Sequence, residues 1–376
     1  MKLKKRFLLA AIYCSSFGMH SLYAQNINEL ISSGKYSDVI ERYANHTDTL
    51  STQSLFYVGV AYHYLKDYTK SIAIIDECIR KDSTVLSAYE LKGNTLALLG
   101  QYEEALRCFA AGLEIDREDA SLYTQMGIIH YQSNEIDKAL ESFDTALLMP
   151  DCPVDAYLYC GYIYTDLNKY PEALASFYKA RDLAADDQDL YVHILFNIGL
   201  IHSLNREYQQ AESNFRELLS LNPNDYHAQS KLIQIYYHNK EYEKAKPLKK
   251  ILYDAYEKGI LPENMADMFC IDQFPYGDYN IMVFERYESG DKDKIYFKTN
   301  FYMLDSKGDV VMRLQTEYSP YSKAITGTPY LLCGYKDNTH LNFGIGIEED
   351  TPYEELKKFV IEILDNQVKP VASSTF

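Results

Sequence analysis

Hydrophobic and small residues along 52–258 recur with a period much longer than a helical turn. Gly59, Gly93, Gly127 and Gly161 stand 34 residues apart, and Gly199 follows after 38. Twelve residues past each glycine comes a small residue: Ser71, Ala105, Ala139, Ala173 or Ala211. Sixteen past it comes a large apolar one: Ile75, Phe109, Phe143, Phe177 or Phe215. Nine past it stands Tyr68, Tyr102, Ile136, Tyr170 or Tyr208. Residues four before, at, and three after the glycine share one helical stripe, as Tyr89, Gly93 and Leu96 do. Each period therefore predicts two amphipathic helices and a short turn. The turns are legible as Lys66-Asp67, Leu99-Gly100-Gln101, Ser133-Asn134, Leu167-Asn168 and Asn205-Arg206. A fixed period of this size means supersecondary units that bury their apolar faces on one another.

Residues 25–50 read as a clipped first unit, with Gly34-Lys35-Tyr36 copying the second-helix pattern. The four residues added before Gly199 fall at a junction near Asp186 to Asp189, where they lengthen a loop or a helix end. A sixth unit, from about Asp225 to Lys258, keeps Tyr242 and Ala245 but has Lys249 where the aromatic is expected. That loss suggests an outer face that no further repeat covers, with the C-terminal segment as its cover.

After Gly259 the rhythm changes, and from about Tyr279 the period is two. Ile295, Phe297, Thr299, Phe301 and Met303 alternate with polar or outward positions, as do Leu341, Phe343, Ile345 and Ile347. These predict strands with one apolar face. Asp305-Ser306-Lys307-Gly308 predicts a hairpin turn, and Asp337-Asn338 a second. Tyr353, Leu356, Val360, Ile363 and Leu364 form the stripe of a closing helix. Thr351 is its expected N-cap and Glu354 the partner in a capping box.

The repeat columns resemble the tetratricopeptide repeat family over residues 25–258. The expected fold is an α-solenoid of stacked helix hairpins followed by a small α+β domain with an antiparallel sheet and one C-terminal helix. The divisions are a leader at 1–24, helical repeats at 25–260, a domain of about five strands plus a helix at 263–370, and a tail at 371–376. Tyr89, Tyr123 and Tyr157 replace the bulky aromatic usual in the family. The 36 tyrosines and absent tryptophan are thus mostly a property of the core.

Composition adds a compartment and a charge. Lys2, Lys4, Lys5 and Arg6 precede a short apolar run, Phe7 to Tyr13, and Leu22-Tyr23-Ala24 offers a cut before Gln25. This reads as a secretory signal, with an uncleaved membrane anchor as the alternative. Tyr13 before Cys14 does not fit a lipid-attachment site. The expected location is periplasmic or secreted. Net charge is −17, and loss of the four basic residues with the leader takes it to −21. Nucleic acid and anionic membranes are therefore poor partners. No later apolar run reaches a membrane-spanning length of about 18 residues. Six cysteines follow the leader, with no C-x-x-C among them. Export permits a Cys270–Cys333 pairing, with buried thiols as the alternative.

Catalytic constellations are not evident. No G-x-S-x-G, H-E-x-x-H or phosphate-cradling glycine loop occurs, and no cofactor or metal site is expected. His130 and His202 occupy a packing column that elsewhere holds tyrosine. A nucleophile site can be written from Cys333, His340 and Asp337, against the plainer reading of a surface hairpin. The expected protein is therefore non-catalytic.

The functional signal lies in the first helices, which line the inner side of such an array. Their inner stripe falls six and three before the glycine, and one and four after it. It includes Phe56, Val60, Asn94, Ile128, Tyr131, Leu158, Tyr162, Phe196, Leu200 and Tyr237, and none of its 24 positions is lysine or arginine. Family members that clamp a peptide carboxylate use lysine, arginine and asparagine there, and this chain matches only at Asn94. An apolar, aromatic stripe suits a protein or peptide segment with hydrophobic anchors. Intramolecular packing of the same side chains is the competing explanation. A glycan or small-molecule ligand is the second functional class, weakened by the missing tryptophan. An enzyme housed in 263–370 is the third.

Overall fold

The computed structural model describes residues 27–265, 268–288, 296–318, 330–336, 339–348 and 351–368. The leader, the Asp337-Asn338 turn and the tail lie outside the described residues. The chain divides into two compact bodies, one up to Ala185 and one from Asp186 onward.

The N-terminal body is a run of helix hairpins. After a helical segment at 27–32 come α1 (Tyr36–Tyr43), α2 (Thr52–Tyr64), α3 (Tyr68–Lys81), α4 (Leu86–Leu98) and α5 (Tyr102–Leu113). Then follow α6 (Ala120–Gln132), α7 (Ile136–Leu147), α8 (Val154–Asp166) and α9 (Tyr170–Leu183). The glycine column has a steric cause. A Cβ on Gly93 would meet the Phe109 ring at 2.3 Å, and one on Gly127 the Phe143 ring at 2.6 Å. The aromatic thus fills the space above its own repeat's glycine, within the hairpin. Phe143 also stacks on Tyr159 of the next repeat, 5.7 Å away. The small column completes the close approach, where Ser71 Oγ donates to the Gly59 carbonyl at 2.8 Å. Each hairpin turn places one residue in the left-handed region: Lys66, Gly100, Asn134 and Asn168 in this body, Arg206 and Lys240 in the other.

The C-terminal body starts with α10 (Gln188–Leu204), α11 (Tyr208–Leu221), α12 (Tyr226–His238) and α13 (Tyr242–Glu257). α10 has 17 residues where α2, α4, α6, α8 and α12 have 13. The inserted residues therefore add one helical turn. Its N-terminus is capped by Asp187, whose carboxylate accepts from Leu190 N at 3.1 Å.

Among the described residues six antiparallel strands follow in sequential order: β1 (Met268–Tyr276), β2 (Tyr279–Glu288), β3 (Tyr296–Leu304), β4 (Val310–Tyr318), β5 (Tyr330–Lys336) and β6 (Thr339–Ile347). The expectation of about five misses β1. A bulge between Cys270 and Asp272 breaks its alternation, and Pro275 disguises it, as proline does on edge strands. The predicted turn at Asp305 forms, with Gly308 at φ +86° and Asp305 Oδ1 accepting from Lys307 N and Asp309 N.

α14 (Tyr353–Val368) buries the expected Leu356, Val360, Ile363 and Leu364. Its capping differs from expectation. The Thr351 hydroxyl donates to the Glu348 carbonyl, and Pro352 O takes the first helical N–H groups instead. Glu354 turns away to accept from Tyr242 OH at 2.6 Å.

No disulfide joins the described cysteines. Cys270 on β1 and Cys333 on β5 are four strand spacings apart in the sheet order. At about 4.8 Å per spacing that exceeds disulfide reach. Among the described residues no helix is long and apolar enough to cross a membrane.

Candidate functional site

The glycine–aromatic seam turns one side of each first helix toward its own hairpin partner. First helices of successive repeats also pack side by side: α2 with α4, α4 with α6, and α6 with α8. What remains accessible is narrower than the sequence stripe. Phe56, Val60 and Leu158 are 7%, 1% and 6% exposed, so they belong to the core and not to a binding surface. Thr124, at the same position as Phe56 and Leu158 in its repeat, is also fully buried. The position three before the glycine thus points between neighbouring first helices. The positions one and four after it stay half-exposed in the middle of the N-terminal body, at Asn94, Ile128, Tyr131 and Tyr162. In the C-terminal body Phe196 and Leu200 are half-buried, with the Phe196 ring 5.7 Å from that of Phe215.

Tyrosine rings connect the accessible positions. Tyr159 lies 5.5 Å from Tyr131 and 5.8 Å from Tyr162, both edge-on. Tyr162 meets Phe177 at 5.4 Å. Edge-to-face pairs of this spacing each add about 0.5–1.5 kcal/mol beyond area burial. Tyr159 lies outside the sequence stripe, two residues before the glycine, and only its aromatic character signals it. The Tyr131 hydroxyl donates to Asp166 Oδ2 at 3.4 Å. Burial, then the neighbouring Tyr159, pushes the Tyr162 phenol up to about 12, and burial with Asp166 raises Tyr131 as well.

These raised values set an expectation for alkali. A phenol raised in the folded chain favours folding fully below the unfolded value of 10.0. That contribution is lost as pH climbs from there toward 12. The phenolate absorbance that Tyr131→Phe/Tyr162→Phe removes from the wild-type titration is expected to appear together with the loss of helical circular dichroism within this window. That difference appearing earlier, with helicity intact, would contradict the burial.

The histidines have local structural partners. His130 Nδ1 lies 2.7 Å from Glu135 Oε2, and His202 Nδ1 lies 2.5 Å from Glu207 Oε2. In both repeats the glutamate is the N-cap residue of the following helix, so the pair ties the two helices of a hairpin. The signal was a glutamate five residues past each histidine. His63 Nδ1 sits 2.8 Å from Thr95 Oγ1 on the next first helix, and burial holds its imidazole below the usual range. Among the described residues no three His, Cys, Asp or Glu side chains are grouped to hold a metal.

The last repeat is different because the sheet covers its inner stripe. Gln234 Nε2 donates to the Cys270 carbonyl on β1 at 3.1 Å, and Ser230 Oγ approaches the same oxygen at 3.5 Å. β1 is an edge strand, and these contacts occupy a carbonyl that would otherwise invite another chain. Tyr237, 7% exposed, donates to Glu285 Oε1 at 3.1 Å. Lys249, at the aromatic column, donates to the same oxygen at 2.7 Å and lies 2.5 Å from Oε2. The expected cover of this outer face is therefore the sheet itself. A second buried carboxylate, Asp272, accepts from Tyr353 OH at 2.5 Å and Lys357 Nζ at 2.7 Å.

The suggested nucleophile site does not assemble among the described residues. Cys333 is 2% exposed, and its backbone stands opposite Asn342 in the ladder. His340 is exposed, opposite Tyr335, with the two rings 5.1 Å apart. Asp337 lies outside the described residues.

Comparison with known proteins bears on the helical part. Models described as "TPR repeat" and "Tetratricopeptide repeat" match residues 93–134, 124–188 and 204–248. DnaJ homolog subfamily C member 7 of Homo sapiens is 23% identical over 148 residues, 35% of this chain and 30% of that protein. Superkiller protein 3 of Schizosaccharomyces pombe is 20% identical over 279 residues, 70% of this chain and 19% of that protein. The chain thus spans under a third of the length of either relative. Among solved structures, PilW, a type IV pilus biogenesis factor, is similar at 17% identity and TM-score 0.47, covering 57% of this chain and 96% of that one. YrrB, described as a TPR protein with an unusual peptide-binding site, is similar at 16% identity and TM-score 0.37, covering 55% and 97%. Together with the glycine, small and aromatic columns and their hairpin geometry, the matched models place the helical array of this chain in the tetratricopeptide repeat family.

Proposed function

We propose that the protein is an exported, non-catalytic scaffold that holds a protein or peptide segment on the inner face of its N-terminal helical body. The observation that carries this reading is the half-exposed set Asn94, Ile128, Tyr131 and Tyr162, whose two tyrosines meet through Tyr159. Rigid aromatic side chains present contact area at low entropic cost. The recognised segment would bring apolar anchors, because the patch offers no cation for a carboxylate. Covering ~600 Å² of apolar surface would release ~15 kcal/mol gross, and ordering and association remove ~4–15 kcal/mol of it. The remainder, about 0–11 kcal/mol, corresponds to weak to moderate affinity.

The test is co-purification from the exported fraction with wild-type protein and with Ile128→Arg/Tyr131→Lys. Both substitutions fall on half-exposed positions, so the fold is expected to survive, as circular dichroism would verify. Wild type is expected to retain a partner that the charged variant loses. Equal recovery by both would end the inner-face reading. Export is checked separately by N-terminal sequencing of the mature chain, expected to begin at Gln25. An intact Met1 in the exported fraction would refute cleavage.

A further inference from the structure

The C-terminal body holds a pocket of about 500 Å³, within the size range that encloses small organic molecules. Its wall is built by the end of α10 (Ser203), the turn after it (Arg206), the middle of α12 (Lys231), β1 (Asp272, Phe274) and α14 (Lys357). Two groups in that wall are unexplained by the fold. Ser203 Oγ is buried and, among the described residues, has no hydrogen-bond partner. Lys231 is partly buried and, among the described residues, has neither an ion-pair nor a hydrogen-bond partner. The other two ammoniums set into this body, Lys249 and Lys357, each meet a carboxylate.

An unpaired ammonium removed from water is a cost, which a counter-charge would relieve. This chain carries 54 acidic residues against 37 basic ones, yet among the described residues none pairs with Lys231. Burial accordingly pushes its ammonium below the usual lysine range, with the Cys270 thiol as a lesser, opposing influence. The surrounding charges narrow the choice of ligand. Lys357 is already committed to Asp272, which leaves Lys231 and Arg206 as the cations that face the pocket. Asp272 is held by Tyr353 and Lys357, so the preference for an organic anion over phosphate comes from the apolar part of the wall. Leu200, Leu204, Phe274 and Pro275 give the wall an apolar part, beside uncharged polar side chains such as Gln273 and Asn280.

We propose that this pocket binds a small organic monocarboxylate, with its carboxylate on Lys231 and Ser203 Oγ and its apolar part against Leu200 and Phe274. The site is built from the last repeats and the sheet of the C-terminal body and uses no residue of the patch proposed in the N-terminal body. It does not depend on the scaffold reading.

The full chain would be titrated with phenylacetate, hydrocinnamate and octanoate, by calorimetry and thermal shift. Phenylacetamide and inorganic phosphate are the neutral and dianionic controls. At least one carboxylate is expected to bind and to raise the melting temperature by mass action, while the two controls do not. Lys231→Met is expected to melt at or above the wild-type temperature without ligand, because it removes an uncompensated charge. It should weaken carboxylate binding about tenfold or more. Ser203→Ala, which changes one hydroxyl, is expected to weaken binding several-fold with the unliganded melting temperature unchanged, and it decides the matter if Lys231→Met proves less stable. Binding of none of the three carboxylates, equal binding of phenylacetamide or phosphate, or full affinity in the two variants would overturn the proposal.

Discussion

Lys249→Met is expected to destabilise the C-terminal body by about 3–5 kcal/mol, the usual result of removing one partner from a buried ion pair. Lys249 and Glu285 side chains are 15% and 6% exposed. Without the ammonium, the Glu285 carboxylate would keep only the Tyr237 hydroxyl and would be both charged and desolvated. Replacing both partners changes the sign of the argument. In Lys249→Met/Glu285→Leu no charge is left stranded, and apolar side chains of similar size fill the space. That double variant is expected to recover most of the loss, since exchanging a whole buried pair for apolar groups is often neutral or stabilising. Urea titration followed by circular dichroism reads both. A single-variant loss below about 1 kcal/mol would mean that water reaches Glu285. The pair would then be an ordinary surface contact rather than the junction between last repeat and sheet.

Phe143→Ala comes next, with an expected cost of about 3–5 kcal/mol for a fully buried aromatic. Phe143 is 0% exposed, roofs Gly127 and stacks on Tyr159 of the following repeat. A repeat array gains stability from each unit and from each neighbour interface, and this one ring serves both. The reciprocal change tests the geometry. Gly127→Ala should gain about 1 kcal/mol of helix propensity. The added Cβ would nevertheless lie 2.6 Å from the Phe143 ring, and overpacking of this kind costs about 1–3 kcal/mol. A net loss is expected, and Gly127→Ala/Phe143→Leu should be less destabilised than the sum of its single changes. Strict additivity, measured by thermal or urea melts, would show that the ring and the glycine do not share a seam.

Both predictions turn on columns that the repeat pattern exposes, but in unequal degree. The glycine and aromatic columns, the hairpin turns and the closing helix are legible because each is set by residues less than one repeat apart. A period of 34 places Gly127 and Phe143 on facing sides of one hairpin, whatever the rest of the chain does. The turn at Asp305 and the stripe of α14 are local in the same sense. Lys249 was visible as an anomaly in its column, yet its partner was not. Glu285 lies 36 residues further on, in a strand whose face toward α13 depends on sheet register.

The inner face shows the same division. Periodicity identified the side of each first helix that turns away from its own hairpin, and this much depends on helical geometry alone. Burial of Phe56, Val60 and Leu158, and exposure of Ile128 and Tyr131, depend on how closely neighbouring first helices approach. Spacing within one helix carries no information about that. Helical pairs, their seams and the change to alternating strands were therefore determined by the sequence itself, through contacts short enough to repeat. The bulged first strand, the closure of the last repeat by Gln234, Tyr237 and Lys249, and the burial of Lys231 in its pocket were decided only by tertiary structure. Each of these rests on segments distant in the chain, brought together by burial of apolar surface that is indifferent to which polar groups it strands or pairs.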